Sequence, residues 1–146
     1  MFKHILISTD GSSLGNKAAK AGIELAHALG ARVTAYYAIE PLRMMYEEGD
    51  MLDQKTLDQI EASTRVAGQK RVDAMGKMAK RAGVPFAAVV SQPSTAYVGI
   101  IDAAKKRKCD VIFMASHGRS GISKLLMGSV TQKVLAHSRI PVVVYR

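Results

Sequence analysis

The chain has one cysteine in 146 residues, Cys109, so no intrachain disulfide can form. No partner motif makes that thiol a nucleophile or a metal ligand, and burial is the usual fate of a free cysteine. Tryptophan is absent and aromatics make up 5%, which leaves no stacking platform for single-stranded nucleic acid. No apolar run approaches the ~20 residues that a transmembrane helix needs, so membrane insertion is not expected. The four histidines, His4, His27, His117 and His137, lack zinc-type spacing, and no metal site is assigned to the side chains. No G-x-G-x-x-G motif is present, which weakens a dinucleotide reading. There is no internal repeat, low-complexity stretch or second-domain signal, so residues 1–146 are expected to form a single domain.

Acidic residues are also scarce: 12 Asp and Glu against 21 Lys and Arg, a formal charge of +9. That excess suits an anionic partner such as a nucleotide or a membrane surface, and it raises nucleic acid, which the missing aromatics argue against. The basic residues cluster from Lys70-Arg71 through Lys77, Lys80 and Arg81, and again over Lys105-Lys106-Arg107-Lys108. Both clusters read as solvated helix ends, where cations offset the helix dipole. Apolar residues at 48% and charged residues at 23% are ordinary for a globular protein. The apolar stretch in Met1 to Ile7 is too short for a signal peptide, and Asp10 interrupts it. It reads as the first strand of a cytoplasmic protein.

Strands alternate with helices along the chain. Lys3 to Ser8 is a strand that ends at the turn-prone Thr9-Asp10-Gly11-Ser12. Ser12 or Ser13 can cap a helix whose inward face is Leu14, Ala18, Ala21, Leu25 and Ala28, and Gly30 ends it. Arg32 to Ile39 is a second strand. Pro41 to Asp53 is irregular, with an acidic cluster at Glu47-Glu48-Gly49-Asp50. A long helix follows, roughly Leu52 to Arg81, with Leu57, Ile60, Thr64, Ala67, Met75 and Met78 inward and Arg71 interrupting that face. Phe86 to Val90 is the third strand. Thr95 to Lys106 is a helix with Val98, Ile101 and Ala104 inward, Asp110 to Met114 the fourth strand, Ser129 to His137 the last helix and Ile140 to Tyr145 the fifth strand. This alternation, with near-continuous apolar strands, predicts an α/β fold built on an open parallel sheet with helices on both faces. In such sheets ligands bind at the carboxyl ends of the strands.

One stretch lies where that rule puts a ligand. Ala115-Ser116-His117-Gly118 follows the fourth strand, and nine residues later comes Gly128-Ser129-Val130 at a helix start. A glycine loop there lets backbone N–H groups converge on a phosphate, with the helix N-terminus adding partial positive charge. The alternative for Gly128-Ser129 is an ordinary helix start. Gly11 to Lys17 resembles a P-loop superficially, but its spacing is short and Asn16 separates Gly15 from Lys17. His117, with Ser116 or Ser129 as nucleophile and Asp10 as orienter, raises an enzyme reading that needs a geometry no sequence fixes.

The Ala115-x-x-Gly118 spacing to Gly128-Ser129 resembles the glycine motif of ATP-binding universal stress proteins. So does the opening Ile5-Leu6-Ile7-Ser8-Thr9-Asp10-Gly11-Ser12, together with Ser116-His117-Gly118-Arg119-Ser120-Gly121 and Pro141-Val142-Val143-Val144. The likeness runs over essentially the whole chain and departs from the motif at its first glycine, here Ala115. It implies five parallel strands in the order 3-2-1-4-5, the adenine-nucleotide α-hydrolase-like arrangement. It also implies a homodimer, for which the edge strand Ile140 to Tyr145 offers a surface. The expected ligand is ATP, or AMP or cyclic AMP, with Mg2+ held through the phosphates. By similarity Asp10 lies at the ribose or adenine with Ser8 and Thr9 beside it, although Asp10 could instead simply close an Asx turn. By similarity Ala38 borders the base; Met114 could pack against the base too, or simply end a core strand. Ala115, Gly118, Gly128, Ser129 and Val130 surround the phosphates, and Arg119 and Lys124 neutralise them. The expected role is a regulatory or signalling module in the stress response, with slow ATP hydrolysis or phosphotransfer and a nucleotide-free dimeric scaffold as alternatives.

Overall fold

A computed structural model describes residues 1–41, 53–118 and 127–146. The acidic cluster Glu47 to Asp50 and the loop cations Arg119 and Lys124 lie outside these described residues. Five strands form one sheet: β1 (His4–Ser8), β2 (Arg32–Ala38), β3 (Phe86–Ser91), β4 (Val111–Ala115) and β5 (Val142–Tyr145). All pairings are parallel, and the order is β3-β2-β1-β4-β5. The order and direction are those implied above.

Strand side chains alternate between two buried faces. Ile5, Ile7, Val33, Ala35, Val111 and Phe113 meet α1 (Ser13–Leu29) and α2 (Gln54–Arg81) on one side. Leu6, Tyr36, Ile112 and Met114 meet α3 (Ala96–Lys106) and α4 (Ser129–His137) on the other. Strands buried on both sides need apolar residues at nearly every position, which explains the continuous runs in the sequence.

Element boundaries follow the expected caps. Ser12 accepts from Gly15 N at 3.0 Å, and Gly30 closes α1 at φ 62°. Asp53 accepts from Thr56 N at 2.7 Å to start α2, two residues after the expected start at Leu52. β5 begins at Val142 rather than Ile140, since Pro141 has no N–H to donate to a ladder.

The inward helix faces differ from the expected ones. In α1 the buried residues are Gly15, Ala18, Ala19, Gly22, Ile23 and Ala26, so Ala18 alone of the expected set is fully buried. Leu14, Ala21 and Leu25 are half-buried, and Ala28 is exposed. The reason is close approach. A Cβ on Gly22 would come within 2.8 Å of Ile7 Cδ1, so the smallest residues face the sheet and the leucines flank it. In α2, Gly68, Val72, Met75 and Ala79 are buried, while Leu57, Ile60, Thr64 and Met78 are half-buried and Ala67 is exposed. Gly68 lies against the Tyr37 ring, where a Cβ would fall 2.7 Å from Cδ1.

The basic clusters also divide. Lys80 and Arg81, and Lys105 and Lys106, occupy the last turns of α2 and α3 as expected. Lys70, Arg71 and Lys77 lie inside α2, so helix-end electrostatics does not account for them.

At the opposite, N-terminal end of the strands, His4 is buried and shares a 2.8 Å hydrogen bond between Nε2 and Thr34 Oγ1. Burial first, then the Arg32 charge, lowers its pKa below 6.5, against the opposing pull of Asp110. The folded state therefore binds fewer protons than the unfolded chain below that value. Stability is expected to fall as pH drops from about 6.5 toward the lowered native value. A His4→Gln variant should flatten that slope in urea titrations across pH 7 to 5, and an unchanged slope would assign it to other groups. Leu6 is fully buried between sheet and helices. Leu6→Ala should cost about 2–5 kcal/mol in the same titrations at neutral pH.

Candidate functional site

A cavity of about 620 Å³ opens over the carboxyl ends of the central strands. Ser8, Thr9, Asp10, Ala38, Met114, Ala115, Gly118, Gly128, Ser129 and Val130 all border it. The fold thus gathers every site candidate it describes into one place, although these residues are up to 122 positions apart along the chain (from Ser8 to Val130).

The β1–α1 turn forms the floor. Asp10 Oδ1 accepts from Ser12 N at 2.9 Å, so the Asx turn does form. The same carboxylate also borders the cavity, so closing the turn and facing a ligand are compatible. Thr9 Oγ1 accepts from Gly11 N at 3.1 Å, and Gly11 takes φ 73°, a left-handed conformation that favours glycine. Two further glycines make room for Asp10. A Cβ on Gly15 would lie 2.7 Å from Oδ1, and one on Gly118 would overlap Oδ2.

The glycine loop meets this turn at Gly118 and also borders the cavity. Gly118 and Gly128 do not use the left-handed region, so their value lies in size. Gly128 N donates to Ser116 O at 2.8 Å, and a Cβ on Gly128 would press on His117 Cα at 3.1 Å. Gly128 is the N-cap of α4 and has no side chain to bond the first turn. The leading amides of a helix have no partner within it, and here Ser129, Val130 and Thr131 border the cavity. Partial positive charge is therefore presented toward the space that Asp10 faces from the other side.

Ala115, at the position of the motif's first glycine, is extended and pairs with Tyr145 across β4 and β5. Positive φ is not used there, so the methyl carries no backbone strain. Its carbonyl accepts from Thr131 Oγ1 at 2.9 Å, which ties β4 to the first turn of α4.

The structure also adds residues that the sequence did not reveal as site residues. Gly15, Tyr37, Glu40, Ser63, Thr64, Ala67, Arg71, Ala96, Ile100 and Thr131 line the cavity. Arg71 had one visible signal, a cation breaking an apolar helix face. Its Nη1 donates to Gly11 O at 2.8 Å. Among the described lining residues it is the single Lys or Arg.

Ser116 Oγ and His117 Nδ1 are 3.1 Å apart, a proximity that the sequence left open. Ser116 is buried. No group of three or more His, Cys, Asp or Glu able to hold a metal occurs among the described residues. Cys109 is buried at the far end of β4, and desolvation pushes its thiol up to about 11, which keeps it protonated and inert at neutral pH. No helix among the described residues is long and apolar enough to cross a membrane.

The sequence model of the universal stress protein family matches residues 1–146. A universal stress protein of Thermus aquaticus is 31% identical over 146 residues, covering 100% of both chains. Universal stress protein MJ0531 of Methanocaldococcus jannaschii is 30% identical, covering 100% of this chain and 83% of that protein. The solved structure of MJ0577 superposes with a TM-score of 0.83 at 22% identity, over 99% of this chain and 95% of that one. A universal stress protein in complex with cAMP superposes with a TM-score of 0.65 at 22% identity, over 99% and 97%. One from Archaeoglobus fulgidus in complex with dAMP gives 0.63 at 16% identity, over 100% and 98%.

The packing of Gly118 against Asp10 can be checked directly. Gly118→Val should displace the carboxylate and shift the amide resonances of Gly11 and Ser12. Unchanged resonances would contradict it.

Proposed function

The chain belongs to the universal stress protein family, and from that membership we propose that it binds an adenine nucleotide, ATP foremost, as a cytoplasmic regulatory module of the stress response. The observation that carries this reading is the pairing of two features across one cavity: the α4 N-terminus without a side-chain cap, approached through Gly128, and the Asp10 carboxylate seated among glycines. A phosphate chain is complementary to the first, and ribose or base donors are complementary to the second. The cavity, about 620 Å³, falls within the usual range for small-molecule sites. Relatives of the same fold bound to cAMP and dAMP support the adenosine part of the reading.

In this reading Gly118, Gly128, Ser129 and Val130 hold phosphates, while Ala38 and Met114 border the base. Ser8 and Thr9 support Asp10. Mg2+ would be held through the phosphates and water. A bound nucleotide bridges β1, β4 and α4, so occupancy can set the conformation of the loop face and the choice of partner.

The proposed assembly is a homodimer through β5, an edge strand whose open backbone a second copy would pair. A second reading rests on the Ser116–His117 hydrogen bond, which gives slow hydrolysis or phosphotransfer a candidate proton carrier. Sustained ADP release that His117→Ala abolishes would support that reading, and its absence would leave the regulatory one.

Titration calorimetry and thermal melting with millimolar ATP test the main proposal. ATP specific to the native state must raise the melting temperature. Gly128→Val should lower ATP affinity by about tenfold or more, because phosphate oxygens can no longer approach the helix start. A wild-type protein without an ATP-dependent shift would overturn nucleotide binding and favour the nucleotide-free scaffold. Unchanged affinity in Gly128→Val would overturn the phosphate assignment alone.

A further inference from the structure

We propose that Arg71 is a positioning residue for the cavity: from α2 it holds the β1–α1 turn in the form that presents Asp10 to the ligand. The proposal rests on the nucleotide reading and deepens it.

Arg71 lies inside the 28-residue helix α2, away from the helix end that accounts for Lys80 and Arg81. It flanks the buried stripe Gly68, Val72, Met75 and Ala79 rather than belonging to it, so its half-buried cation is not needed to pack α2 on the sheet. The side chain reaches the turn 60 residues away and donates from Nη1 to Gly11 O at 2.8 Å. The guanidinium also packs on the glycine itself, where a Cβ would overlap Nη1, Cζ and Nε. Gly11 is left-handed at φ 73°, so two independent requirements, conformation and space, converge on glycine at one position.

Gly11 follows Asp10 directly, and at the start of the turn Thr9 N donates to Tyr36 O of β2 at 3.1 Å. Gly11 N donates to Thr9 Oγ1, and Ser12 N donates to Asp10 Oδ1. The Arg71 bond anchors this turn to a distant helix. Gly15 packs near Asp10 Oδ1 and Gly118 near its Oδ2. A shift of Gly11 therefore moves Asp10 relative to Gly118 and the α4 N-terminus, the two groups between which the nucleotide would lie. A hydrogen bond from a charged donor is strong enough to select one conformer of so short a turn. Arg71 thus tunes affinity through Asp10, with Lys as the conservative replacement able to reach the same carbonyl.

A double-mutant cycle separates this role from a direct contact with the ligand. ATP affinity is measured for wild type, Arg71→Ala, Asp10→Asn and the double variant, with melting temperatures to verify folding and Arg71→Lys as a rescue. The expected result is a loss of roughly tenfold in Arg71→Ala, largely restored in Arg71→Lys. In the Asp10→Asn background, Arg71→Ala should change affinity less than about twofold, because its effect passes through the carboxylate. Equal losses in both backgrounds would overturn the proposal and make Arg71 an independent contact, and no loss in either would overturn it outright. If the wild-type protein binds no ATP, the nucleotide reading fails, and amide exchange then decides the positioning role. Faster exchange at Gly11 and Ser12 in Arg71→Ala upholds the anchor, and unchanged exchange refutes it.

Discussion

A parallel sheet covered by helices on both faces can meet a ligand only at its ends, and the rest of this molecule follows from that constraint. Burial on both faces makes β1 and β4 continuously apolar, with Ile5, Leu6, Ile7, Val111 and Ile112 at 0% exposure. Their backbone bonds are spent on neighbouring strands. Chemistry is therefore displaced to the segments that leave the strands, where polar side chains and free amides meet solvent. Asp10 and His117, both half-buried at the cavity, each lie two residues past a strand end, after Ser8 and Ala115 respectively.

Small residues serve this architecture in two distinct ways. Gly22 and Gly68 let α1 and α2 approach the sheet, against Ile7 and Tyr37. Gly15 and Gly118 instead surround a carboxylate, and Gly128 admits the loop backbone to the start of α4. The first pair builds core density. The second group lets the Asp10 carboxylate and the loop backbone pack closely at the border of the cavity. A single residue type thus marks both packing and site, and only position in the fold separates the two.

Electrostatics follows the same division of the molecule. The carboxyl end of the sheet brings together Asp10, Glu40 and Arg71 around a cavity that also receives the positive end of the α4 dipole. The opposite end holds His4 and Cys109 in protected, desolvated positions, where burial disfavours charge on either group.

The residues themselves determined the alternation of elements, the caps at Ser12 and Gly30, and the glycine spacing, since each depends on local pattern or backbone preference. The family likeness supplied the strand order, while the glycine loop at a strand's carboxyl end already marked the candidate site. Apolar spacing at three- and four-residue steps suggested an inward face for α1 of which Ala18 alone is fully buried, because helix–sheet distance is set by what the closest residue lacks, and that distance exists only once both elements are in place. Arg71 looked like a flaw in α2 for a related reason. Its partner is a carbonyl 60 residues away, and an unbonded cation and a structural anchor are identical until the chain folds. Local preferences can be read along a sequence, but a contact between distant segments is decided by the tertiary structure that brings them within reach.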